Sequence, residues 1–187
     1  SDLQGAHFVD VDRNEYIDLC LGDTGSMTGH SPAPTVSAIS SQFKKGMTAM
    51  LPTDDAVAVS SELARRFGLP LWQFTVSATD ANRHAIRYSR LITGKSKIVV
   101  IDRCYHGSVD ETFATLDASG NTVMREGNIG APVPLDVTTR VVEFNDLAGM
   151  EAVLKHGDVA AILMEPAMTN VGIVLPDDGY LVAVGEL

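Results

Sequence analysis

The sequence predicts an α/β fold, a mainly parallel sheet with flanking helices, and three observations carry that prediction. KIVVID is a short, nearly all-apolar run, the pattern of a strand covered on both faces, VAAILMEP reads as another buried strand, and TRVVEF as a further strand. Helical periodicity precedes the first run in TDANRHAIRYSRLITG and separates the last two in LAGMEAVLKHG. At 187 residues and 45% hydrophobic, the chain also has enough apolar material for a core of ordinary size.

In order along the chain, Ala6 to Leu21 reads as a β-hairpin, with Asp12 to Asn14 supplying the turn between two short strands. GDTGSMTGHSPAP is loop by its Gly, Ser, Thr and Pro content. A helix follows from Pro34, with Val36, Ile39 and Phe43 on one stripe and Gly46 closing it. A second begins after Asp54 and Asp55 and stops at Gly68. WQFTVS reads as a strand, and the helix after it places Ala81, Ala85, Tyr88 and Ile92 on one face. Residues 117–139 carry the densest turn chemistry and read as a surface excursion. DDGYLVAVGEL is the start of a further helix, an abrupt place for a domain to stop. The expected organisation is an N-terminal hairpin and loop segment over 1–33 and a partial large domain over 34–187.

Acidic residues outnumber basic ones 24 to 14, a formal charge of −10, and basic clusters do not exceed the pairs Lys44-Lys45 and Arg65-Arg66, which argues against a nucleic-acid surface. Cys20 and Cys104 lie far apart and form no CxxC pair, so a disulfide framework or zinc knuckle is not indicated and a reducing compartment is the simpler assumption. With neither a long apolar run nor a signal-peptide start, a cytoplasmic location is expected. The five histidines show no metal-ligand spacing. Gly94-Lys95-Ser96 suggests a phosphate loop, but Ser89 stands where its first glycine belongs and the tripeptide follows a helix instead of a strand. Gly22, Gly25 and Gly29 do not make GxGxxG, and there is no GxSxG.

Three polar sets remain, each at a strand end. Ser77-Ala78-Thr79-Asp80-Ala81 opens a helix, whose unpaired N–H groups and partial positive charge can seat a phosphate; a plain cap by Ser77 or Thr79 is the simpler reading of this segment alone. Tyr105-His106-Gly107 follows KIVVID, where open α/β sheets bind ligands, although a packed loop would give the same residues. Glu165-Pro166, with Asn170 and Gly172, stands at the carboxyl end of the VAAILMEP strand, where buried polar groups need partners.

Taken in order, DVDRNEYIDL, GHSP, SATDANRHAIRYSRLITGKSKIV, CYHG, EFND and EPAMTNVGIVLPDDGYL resemble the class III, fold type I aminotransferases that use pyridoxal phosphate, and within them the branch near glutamate-1-semialdehyde aminomutase. The resemblance covers essentially the whole chain. It implies that Ser77, Ala78 and Thr79 bind the cofactor phosphate, that Tyr105 stacks on its ring with His106 beside it, that Asn170 approaches its phenolic oxygen, and that Glu165 helps frame the site. It implies transamination of small amino donors and acceptors, or the related aminomutase reaction, in a homodimer. The cofactor would act as an electron sink and the protein would orient the substrate and shuttle a proton.

The family's anchor lysine and the aspartate that pairs with the ring nitrogen are expected beyond Leu187, since Lys44, Lys45, Lys95, Lys97 and Lys155 all precede that region. These residues alone are therefore expected to be a catalytically inactive fragment. Ala78 replaces the usual glycine, Asp80 the usual glutamate, and Arg13 the glycine of the first hairpin. A non-catalytic remnant with a binding or structural role is the main alternative; an unrelated nucleotide-binding module rests only on the strand-end groups and Gly94-Lys95-Ser96.

Overall fold

The computed structural model describes residues 2–47 and 50–187. The chain divides into two compact units, Ser1–Trp72 and Gln73–Leu187.

The first unit opens with a three-stranded antiparallel sheet, β1 (Leu3–Gln4), β2 (His7–Val9) and β3 (Glu15–Ile17), in that order. The expected hairpin is β2–β3, with Phe8 opposite Tyr16 and their rings stacked at 5.0 Å. Its turn is tied by one carboxylate. Asp10 Oδ1 accepts from the Asp12 and Asn14 amides, both at 2.9 Å, and Oδ2 accepts from the Asn14 side chain and the Tyr16 hydroxyl at 3.0 Å. Those hydrogen bonds, Asn14's first, hold the Asp10 carboxyl below its ordinary value.

Helix α1 (Ala33–Phe43) starts at a proline-flanked N-terminus, as the sequence predicts. Helix α2 (Asp54–Phe67) carries Asp54 and Asp55 in its first turn and Arg65 and Arg66 in its last, each matched to the helix dipole, and ends at Gly68 with φ +70°.

The second unit holds the parallel sheet. Helix α3 (Ala78–Thr93) leads through the left-handed cap Gly94 to β4 (Lys97–Ile101), and an antiparallel hairpin β5 (Ala114–Leu116)–β6 (Thr122–Met124) follows. Then come β7 (Thr139–Val142), α4 (Leu147–Leu154), β8 (Val159–Leu163) and α5 (Tyr180–Glu186). Strand order is β7-β4-β8, all parallel, with Val100 in register with Val141 on one side and Leu163 on the other. Central β4 is therefore paired along both edges and packed on both faces, and Ile98, Val99 and Val100 are fully buried. Ile86 of α3, Met150 of α4 and Tyr180 and Val184 of α5 complete the core.

Two expectations are corrected. WQFTVS is not a strand: β-favouring residues need a ladder partner, and none of the three parallel strands pairs with it, so Val76 is exposed and Thr75 Oγ1 donates to the Ser77 carbonyl instead. The excursion over 117–139 is more ordered than its composition suggests. β6 lies inside it, a short 3-10 turn over Leu135–Val137 follows, and Leu135 is buried in the core.

Candidate active site

Because β4, β7 and β8 run parallel, their carboxyl ends share one edge, and the segments leaving them converge there. The segment after β4 runs Asp102, Arg103, Cys104, Tyr105, His106, Gly107. Asp102 is buried, and its Oδ1 accepts from the Thr115 hydroxyl and the Leu116 amide, which ties the β5 strand to the β4 exit. Arg103, at φ +58°, turns the chain sharply. Cys104 is buried, and burial pushes its thiol up to about 11.

Tyr105 projects outward, half-exposed at 57%, while His106 next to it is buried at 9%. The carbonyls on either side of the tyrosine are held. That of Cys104 accepts from Arg125 Nη2 at 2.8 Å and that of His106 from Asn82 Nδ2, on α3, at 3.0 Å. The ring is free while its backbone is fixed.

The start of α3 meets this loop directly. Ser77 is the N-cap, its Oγ accepting from the Asp80 amide at 3.2 Å, so the capping reading holds for Ser77. Thr79 has a different role: its Oγ1 accepts from the Ser108 amide at 3.1 Å, across 29 residues of sequence. Gly107, at φ +79°, packs so tightly on Thr79 that a Cβ there would collide with the threonine hydroxyl. The amides of Ala78 and Thr79, first in the helix, have no intrahelical carbonyl one turn back to donate to. Ala78 lies outside the left-handed region, so the methyl it carries in place of glycine costs no backbone strain.

From β8, Glu165 Oε2 accepts from the amide and hydroxyl of Thr169 at 3.1 and 2.7 Å. Asn170 Nδ2 donates to the Arg103 carbonyl at 3.1 Å, joining the β8 exit to the β4 exit. The structure thus brings Thr79, Tyr105, His106, Glu165 and Asn170 to one edge of one sheet. Ser77 and Ala78 sit at the helix start that packs on the same loop. Burial lowers the His106 ring's affinity for a proton, opposed by the Glu165 carboxylate and a backbone hydrogen bond to Leu163.

Two supporting residues escape a reading by residue type. Asn82, with the already singled-out Gly107, holds the loop. Asn145, at φ +67° after β7, bridges to the segment before α5: its Nδ2 donates to the Leu175 carbonyl and its Oδ1 accepts from the Asp177 amide. The signal for Asn145 is the EFND run itself, an asparagine directly after a buried strand. Asn82 lies on an exposed-looking helix turn and gives no such sign. Among the described residues there is no cluster of three or more side chains suited to hold a metal ion, and no helix is long and apolar enough to cross a membrane.

Comparison with known proteins adds the family. A model described as aminotransferase class-III matches residues 2–187. Glutamate-1-semialdehyde 2,1-aminomutase of Methanothrix thermoacetophila is 34% identical over 98% of this chain and 43% of its own length. A crystal structure of a glutamate-1-semialdehyde aminomutase from Pseudomonas aeruginosa is 50% identical, with a TM-score of 0.95 over 100% of this chain and 41% of that one. Another structure of that aminomutase is in complex with PMP. A transaminase with PLP bound is 30% identical, with a TM-score of 0.86 over 100% of this chain and 44% of the other. The chain thus spans less than half the length of the relatives it matches.

Proposed function

The chain belongs to the class III aminotransferases, and from that membership we propose that it contributes the phosphate seat and ring platform of a pyridoxal-phosphate enzyme that transfers amino groups between small molecules. The complete protein would carry out transamination between an amino acid or amine and a keto acid or aldehyde, or the related aminomutase reaction. It would work as a homodimer in the cytoplasm. Residues 34–187 would belong to its cofactor domain and 1–33 to an N-terminal segment.

The observation that carries this reading is the bolt between α3 and the β4 exit. Thr79, Gly107 and Ser108 hold a helix N-terminus beside a half-exposed aromatic ring whose backbone is fixed on both sides. Such a pairing suits a flat, phosphorylated ligand: open amides and the helix dipole favour the dianion, and the tyrosine offers a face to the ring. Ala78 and Thr79 would hold the phosphate through their amides, with Ser77 fixing the helix start. Tyr105 would stack on the ring with His106 beside it, Asn170 would approach its phenolic oxygen, and Glu165 would help frame the site.

Pyridoxal phosphate, when bound, supplies an electron sink for the substrate carbanion. This chain's residues would orient it. The lysine that takes and returns the proton would come from outside residues 1–187, and on that reading these residues alone turn over no amine.

The test uses the full-length natural protein. Pyridoxal phosphate is titrated in while its absorbance is followed, and an amino donor is then added. Saturable binding followed by conversion of the cofactor to its amine form is expected; a protein that never perturbs the cofactor spectrum contradicts the proposal.

A further inference from the structure

Beneath the Tyr105 loop, three buried polar atoms have no hydrogen-bond partner among the described residues: His106 Nε2, Arg125 Nε and Glu165 Oε1. They belong to one neighbourhood. The charges of Arg125 and Glu165 both act on the His106 ring, and both act on the Cys104 thiol. Each group is anchored through another atom. Arg125 Nη2 donates to the Cys104 carbonyl, Glu165 Oε2 accepts from Thr169, and His106 has its backbone hydrogen bond to Leu163.

Buried polar atoms are almost always satisfied, so three orphans in one place call for a common explanation. Their chemistry is complementary: a guanidinium that only donates, a carboxylate that only accepts, and an imidazole nitrogen that can do either.

We propose that His106, Glu165 and Arg125 form one buried relay in which Glu165 and Arg125 are positioning residues that hold the His106 ring and through it Tyr105. The relay's purpose rests on the proposed function, whereas its geometry does not. Arg125 grips the carbonyl before the tyrosine and Asn82 the carbonyl after it, so the relay stiffens the support under a ring that is itself free. The charges acting on the His106 ring are Glu165 from the β8 exit and Arg125 from the segment after β6, while from α3 Asn82 bonds the His106 carbonyl.

The two charges make opposite predictions. In the full-length natural protein with labelled histidine, the ring titration of His106 is followed by NMR in the wild type, Glu165→Gln, Glu165→Asp and Arg125→Gln. Removing the carboxylate should move the titration down by about one pH unit or more, as loss of a near opposite charge does. Glu165→Asp should restore most of it, and Arg125→Gln should move it up. A purely structural disturbance has no reason to give opposite signs. Titration that stays in place in the variants, or moves the same way in both, overturns the relay. If Glu165→Gln does not fold, Arg125→Gln alone decides, since anything but an upward shift refutes it. The readout needs neither cofactor nor turnover, so a failed function assay leaves this result standing and the reverse is equally true.

Discussion

Replacing Gly107 with alanine should weaken the chain by roughly 1.5–3.5 kcal/mol, the sum of two separable costs. The first is conformational. At φ +79° an L-residue sits in the left-handed region, a penalty of about 1–2 kcal/mol. The second is contact: the new methyl group would collide with Thr79 Oγ1, and moving that hydroxyl breaks its hydrogen bond from the Ser108 amide, worth about 0.5–1.5 kcal/mol. Gly120 supplies the control. It has nearly the same φ, +78°, but nothing lies within 4 Å of the position its Cβ would take. Urea unfolding of both variants in the full-length protein, followed by circular dichroism, therefore separates the two costs. Gly107→Ala should be the more destabilising by about 1 kcal/mol, and it alone should weaken cofactor binding. Equal losses in the two variants would refute the claim that Gly107 is required by its contact with α3.

Arg13→Gly should stabilise the first hairpin by about 0.5–1 kcal/mol in urea unfolding, because Arg13 occupies φ +70° and the relief outweighs the entropy that glycine adds to the unfolded chain. Tyr105→Leu should raise the dissociation constant for pyridoxal phosphate about 3–10-fold in a spectrophotometric titration, the worth of an aromatic stacking contact. Cys104 should resist a thiol reagent at neutral pH until the protein is unfolded, as peptide mapping would show, because burial pushes its thiol up to about 11. Asp158 accepts two hydrogen bonds from Arg140 at 2.8 Å, which hold its carboxyl below the ordinary 3.8. Its contribution is present above that ordinary value and is lost as pH falls through the lowered one, so melting curves below about pH 4 should show a smaller acid-induced loss in Asp158→Asn than in the wild type.

What could be read from residues alone divides by whether the cause is local. The strands KIVVID, TRVVEF and VAAILMEP and the helices capped by Gly68 and Gly94 were legible because apolar runs and left-handed caps act within a few residues. WQFTVS was not, since a strand exists only with a partner and pairing is settled elsewhere in the chain. The hairpin β5–β6 was obscured by the turn-rich residues around it, although Asp117 ties its turn as Asp10 ties the first one, Oδ1 accepting from the Ser119 and Asn121 amides.

The same division holds at the site. Residues at strand ends, Tyr105, Glu165 and Asn170, stood out by position. The reach of Thr79 to Ser108 and of Asn82 to His106 did not, because contacts 29 and 24 residues apart leave no periodic trace. Resemblance to a family implied the proposed phosphate seat, while the geometry explains why a glycine follows the histidine and why Ala78 costs no backbone strain.

The most direct test of the cofactor reading is borohydride trapping in the full-length natural protein, followed by peptide mapping of the adduct. The account predicts one pyridoxyl group per chain, on a lysine outside residues 1–187, and loss of that adduct when Thr79 and Tyr105 are both replaced by alanine. An adduct on Lys95, Lys97 or another lysine of this chain, or no adduct at all, would contradict it.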